Sequence, residues 1–231
     1  VTLNRGLFPT AGQSQSFALQ VAVPGSSLTY SKLTYRHKYF RPIFDGRFVL
    51  GFRGELGVLE AYGDTEVAPF FEHYYSGGIS SVRGFKQNTL GPRAIPSQFY
   101  LDNEGNPIIG QDGNPVANPY SYYRDDRSIG GAYLLEGGFD FIFKLPFIED
   151  QRSMRSSFFV DVGNVFSKDC GFDQSNVNCS ELDLGELRYS YGVGVTWITQ
   201  LGPMSLAIAA PSNEGPVDET ENFQFEIGTQ F

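Results

Sequence analysis

Histidine and cysteine are nearly missing, with two of each in 231 residues. So few bases and soft ligands leave most acid–base and metal chemistry without its usual groups. His37 and His73 lie near no motif that would make either one a base or a ligand. No G-x-S-x-G, P-loop or G-x-G-x-x-G occurs. Long apolar runs are absent too: a spanning helix needs roughly 18–20 residues, and the best stretches, 139–148 and 206–211, are broken by charge or proline. Basic residues are the minority sign, 17 against 26 acidic, and the net charge of −9 argues against a nucleic-acid partner. Val1-Thr2-Leu3-Asn4-Arg5 reads as strand and not as a signal peptide, so a mature or trimmed piece is expected.

What is abundant is glycine, with 27 residues, and aromatic side chains, at 15%. Alternation at period two runs from residue 15 to the end, and helical stripes are almost absent. Eight segments carry it. Phe17, Leu19, Val21 and Val23 alternate with small polar residues. Leu33, Tyr35 and Tyr39 oppose Lys32, Arg36 and Lys38, and Phe48, Leu50, Phe52, Leu56 and Val58 oppose Arg47, Arg53 and Glu55. The fourth segment sets Tyr133, Leu135, Phe139, Phe141 and Phe143 against Glu136, Asp140 and Lys144. Phe158, Val160 and Val162 face away from Asp161. Three more follow at Tyr189–Trp197, Met204–Ile208 and Phe223–Phe231.

A soluble sandwich also alternates. Here the apolar face is almost free of ionisable groups, the opposite face is charged, and Tyr39, Tyr62, Tyr133, Tyr189 and Trp197 gather toward strand ends. An apolar outside, a wet inside and aromatic girdles define a transmembrane β-barrel. The expected fold is therefore all-β and antiparallel, in an outer membrane. Short links (41–46, 146–155, 200–203) alternate with longer ones (24–29, 63–130, 167–186, 211–222), which puts the long loops and the short turns at opposite ends, outside and periplasmic respectively.

Several loop features invite chemistry. Cys170 and Cys179 share one polar outer loop, so a disulfide is favoured over two free thiols or a metal site, and closing that loop would contribute about 2–3 kcal/mol. Asp102-Asn103-Glu104-Gly105-Asn106-Pro107 is echoed by Gln111-Asp112-Gly113-Asn114-Pro115; its spacing misses the EF-hand, and a hairpin tip is expected over a calcium site. A barrel hydrolase using His73 with a serine and an aspartate is the enzymatic alternative, and no enzyme is expected. The loop 63–130 is too long to be idle. Within it Arg83, flanked by Val82 and Phe85 and preceded by Gly77-Gly78, suits insertion into a barrel interior, where Asp140 and Asp161 share the inward parity. A planar guanidinium can bridge two such acids; the alternative on spacing alone is an arginine at a loop tip.

Val82-Arg83-Gly84-Phe85, with Asn88-Thr89-Leu90-Gly91-Pro92 after it, resembles the V-R-G-F loop of the outer-membrane protein assembly factors, the BamA family. The similarity continues through Phe158–Phe166, Leu201-Gly202-Pro203 and Phe223–Gly228, and so covers essentially the whole chain. A sister translocation barrel or a two-partner-secretion translocator shares the R-G-F element, but the final strands match the assembly factors better. The resemblance implies a sixteen-stranded barrel behind periplasmic repeats that dock partner lipoproteins. This chain would be the second half of such a barrel, about eight strands plus the tail of another near Val1 to Phe8, with the V-R-G-F arginine, Arg83, paired to Asp140 and Asp161. It also implies strand templating at a seam whose last strand carries Phe223, Phe225, Ile227, Gly228 and Phe231. Nascent barrel proteins, the bilayer and its lipopolysaccharide are the implied partners, with no cofactor and no metal. A complete eight-stranded barrel with a structural or adhesive role is the competing reading. As a half, the sheet is expected to curl shut on itself or to associate through its edges.

Overall fold

The structure, a computed structural model, describes residues 1–23, 25–65, 67–93, 98–102, 106–119, 128–145, 153–168, 180–200 and 202–228. Alternation becomes eight strands: β1 (Gly12–Val21), β2 (Tyr30–Ile43), β3 (Phe48–Ala61), β4 (Tyr133–Phe143), β5 (Met154–Phe166), β6 (Arg188–Thr199), β7 (Gly202–Ser212) and β8 (Phe223–Ile227). They form one antiparallel meander in chain order. Two 3₁₀ turns, Phe70–Glu72 and Leu184–Glu186, lie wholly within the described residues, and among those residues no helix is long and apolar enough to cross a membrane.

The tight links have local causes. Between β2 and β3, Phe44, Asp45 and Gly46 all take positive φ, and the Gly46 and Arg47 amides donate back to Ile43 and Phe44. The β2–β3 and β6–β7 links at that end are tight turns, whereas the other end carries the long connection between β3 and β4. Part of the long connection folds back along the inner face of the sheet: the Tyr74 hydroxyl lies 2.8 Å from Thr34 Oγ1 on β2, and its ring lies on β3 where Gly57 has no side chain. Its echoed Asn-Pro repeat forms short ladders, with bridges Leu101↔Pro107, Ile109↔Pro115 and Phe99↔Ala117.

Outward positions are the apolar ones. Phe17 is 68% exposed and Ile208 59%, and Phe52, Leu56, Phe158, Val160, Tyr191, Trp197 and Leu206 project likewise. Cross-strand aromatics line this face, with ring centroids 5.1 Å apart for Phe48 and Phe141 and 4.9 Å for Phe143 and Phe158; each such pair is worth about 0.5–1.5 kcal/mol beyond its area. Inward positions carry the charge and the packed interior: Asp161, Val82, Phe85, Leu90 and Arg93 are buried there. An exposed apolar face of this breadth, with its backbone paired within the sheet, suits contact with hydrocarbon.

Two expectations are corrected. Val1–Phe8 is not the tail of another strand: it makes just two ladder bonds to the start of β1, Thr2 N to Gln13 O at 2.8 Å and Asn4 N to Ala11 O at 3.1 Å. The Asn4 side chain takes the Thr10 and Ala11 amides instead, Phe8 sits at φ +49 and Pro9 has no amide to donate, so local turn bonding outcompetes the strand. Of the two outcomes expected for a half-sheet, closure on itself or association through its edges, closure is not adopted. β1 and β8 stand at opposite ends of the strand order and do not pair.

Candidate functional site

The loop reaches its seat by way of glycine. Gly77, Gly78 and Gly84 have φ of +101, +106 and +91, a region costly for any residue with a Cβ. These bends close a compact turn in which Gly78 N donates to Phe85 O and Ser81 N to Gly78 O. Gly84 also lies against β7, where an added Cβ would sit 3.0 Å from Ala209 Cβ. Val82 and Phe85 are fully buried on either side of Arg83 and exclude water from it.

Arg83 meets both inward acids. Its Nε and Nη2 donate to the two Asp161 oxygens at 2.6 and 2.9 Å, in fork geometry. Its Nη1 and Nη2 both reach Asp140 Oδ1 at 3.1 Å, and its backbone N donates to Asp161 Oδ2 at 3.2 Å. The guanidinium stacks 3.6 Å from the Phe159 ring centroid. Antiparallel register places these partners: Asp140 is opposite Phe159, and Asp161 is opposite Gly138 on one side and Ser190 on the other.

A second cation was not singled out from the sequence. Arg53, on β3, donates to Asp161 Oδ1 at 2.7 Å and to Ser81 O at 2.6 Å, and lies 3.5 Å from Asp140 Oδ2. It gets there by crossing β4 at Gly138, where a Cβ would stand 2.7 Å from Arg53 Cζ and 2.9 Å from Asp161 Oδ1. Two arginines therefore neutralise two aspartates. Asp161 is wholly buried, and such a charge is tolerable only because its partners are in place; removing one partner of a buried pair typically costs about 3–5 kcal/mol. Ser157 adds a 3.1 Å bond to Asp140, and Ser81 donates to Glu136.

The outer loop 213–222 fastens the same turn from the other side. Lys86 and Arg93 both pair with Glu219, at 2.8 and 3.0 Å. The two hydrogen bonds hold the Glu219 carboxyl below its ordinary pKa, Lys86 contributing more than Arg93.

On β8, Phe223, Phe225 and Ile227 point outward and are exposed. The strand pairs with β7 from Ile208↔Phe223 to Met204↔Ile227, and among the described residues its other edge faces no strand. Gly228 ends it at φ +151. Phe231, Cys170 and Cys179 lie outside the described residues. His73 Nδ1 is 2.7 Å from Ile129 O, and His37 is on β2, beside the Tyr35 hydroxyl at 3.2 Å.

An open antiparallel wall, apolar outside and charged inside, with a long outer loop bolted through an arginine to its inner face, is a piece of an outer-membrane β-barrel. The chain belongs to the Omp85 superfamily, whose domain matches residues 2–231. It is 33% identical, over 97% of its length, to the outer membrane protein assembly factor BamA of Neisseria meningitidis serogroup B, and spans 27% of that relative. Among solved structures it resembles BamA from Haemophilus ducreyi lacking POTRA domains 1–3, at 29% identity and a TM-score of 0.75, over 97% of this chain and 40% of that one.

Proposed function

We propose that residues 1–231 are the C-terminal half of a sixteen-stranded barrel, with 63–130 as its lumen-directed outer loop, and that the complete protein inserts client β-barrel proteins into the outer membrane. Incoming strands add to the open edge of β8 by backbone hydrogen bonding, as at any exposed sheet edge. No covalent step is involved. Its partners are nascent barrel proteins, the lipid and lipopolysaccharide around it, and lipoproteins held by repeats upstream of this half.

The observation that carries this reading is a short last strand, β8, bound on its inner face to an outer loop that Arg83 holds inside. A rigid interior beside a weak edge lets one strand exchange while the wall stays intact. The self-contained eight-stranded barrel fares worse: an eight-stranded lumen is filled by side chains alone, whereas here a long loop occupies the inner face and β1 and β8 remain apart.

The test uses the full-length protein in liposomes with an unfolded client barrel. A photo-crosslinker replacing Glu226 on β8 is expected to capture the client's terminal strand, and client folding is expected to exceed the rate in protein-free liposomes. Folding at the protein-free rate, with no crosslink, would refute the proposal.

A further inference from the structure

Gln224 is the inward residue at the start of β8, and it is 3% exposed. Both halves of its carboxamide are used, and both by the arginine loop. Oε1 accepts from Gly84 N at 3.0 Å, and Nε2 donates to Phe85 O at 2.7 Å. The side chain thus binds the loop backbone as a neighbouring strand would. The residues just before β8 continue that ladder: Lys86 N donates to Glu219 O and Glu221 N to Gly84 O, each at 2.8 Å, around the antiparallel bridge Phe85↔Thr220. Segment 84–86 therefore has bonds to the approach and first turn of β8, while its neighbour Arg83 is fixed to β4 and β5.

We infer that Gln224 is a positioning residue that couples the last strand to the lumen loop, so that a strand exchanging at the β8 edge is registered at Arg83. This rests on the strand-templating reading above and adds its means of transmission. β8 is short, with five residues paired to β7, so the Gln224 amide and the 219–221 ladder form a large part of what holds it in place. When β8 shifts, the buried Gly84 N–H loses its acceptor, and the buried Phe85 C=O loses one of its two donors and keeps only Gly78 N. A buried peptide group left unsatisfied is costly, so the loop must follow the strand or loosen. The coupling is reciprocal, as any linkage between two sites must be: a loop seated on Asp161 holds β8 against β7.

The experiment measures hydrogen exchange on the full-length protein in lipid nanodiscs, with and without a synthetic peptide of the sequence Asn222–Phe231 as the incoming strand. In the unmodified protein, peptide that protects β8 is expected to change exchange across 82–86. In Gln224→Met, close in shape but unable to make either bond, segment 82–86 is expected to exchange roughly ten to a hundred times faster without peptide and to lose its response to it, while β8 still responds. Peptide bound at β8 with no change at 82–86 in the unmodified protein overturns the coupling, as does a Gln224→Met variant that keeps native loop protection. Failure of the peptide to engage β8 at all counts against strand templating instead, and the variant's loop exchange then decides the coupling alone. Should Gln224→Met not fold, the response of the unmodified protein decides it.

Discussion

Replacing Arg83 by alanine removes the fork to Asp161 and both contacts to Asp140 at once. Arg53 stays 2.7 Å from Asp161 but only 3.5 Å from Asp140, so one cation is left between two acids in a dry seat. At about 3–5 kcal/mol for a broken buried pair, the population of unseated loop rises by roughly two to nearly four orders of magnitude. The assay is limited proteolysis of the full-length protein in lipid, reading cleavage between Tyr62 and Ser128. Fast new cutting is expected for Arg83→Ala. Arg83→Lys, which keeps the charge and loses the planar fork, is expected to fall between it and the native protein. Adding Asp161→Asn to Arg83→Ala is expected to restore part of the protection, because the acid left uncompensated is then gone, and a double-mutant cycle is expected to give a coupling above about 1 kcal/mol. Native protection in Arg83→Ala, or strict additivity in the cycle, would refute the argument that this charge pairing holds the loop.

Three further outcomes follow from the geometry. Gly138→Ala places a methyl against Arg53 and Asp161 and is expected to cost about 1–3 kcal/mol, read as a lower midpoint for loss of the folded, heat-modifiable band; an unchanged midpoint would show that Arg53 does not need the gap. Glu219 has a depressed pKa in the folded state, so its contribution is complete above the ordinary value of 4.5 and is lost as pH falls through the lower folded value. A spin label at exposed position 87 is expected to gain mobility as pH is taken well below 4.5, and Glu219→Gln to be mobile at every pH; a label equally mobile in the native protein from neutral to strongly acidic pH would contradict this. Cys170 and Cys179 are proposed to be bridged, so alkylation without reductant is expected to leave the mass unshifted, and label on either sulfur would disprove the bridge.

The strands were legible because lipid on one face and charge on the other enforce a strict period of two, and eight apolar stripes such as Phe48-Leu50-Phe52 declared themselves. The same parity put Asp140 and Asp161 on the inner face. Register was not legible: nothing local says that Gly138 sits between Arg53 and Asp161, and a glycine in a strand reads as weakness until its two neighbours are known. Gln224 was hidden for a related reason, since one amide among the apolar residues of the last strand looks like ordinary alternation. Val1–Phe8 misled because its composition suits a strand while Asn4 and Pro9 divert its backbone bonding.

The gap at Gly138 also carries a consequence for the order of events in folding. Arg53 can reach Asp161 only after β3 has zipped in register with β4 and β5 across the long connection that separates it from them, and only then does a second cation wait for the carboxylate that Arg83 will share. Burial of the loop is thus a late step, slowed by the closure of long chain segments. A wall zipped one residue out of step presents no such seat, so an arginine that fails to dock marks a barrel put together wrongly.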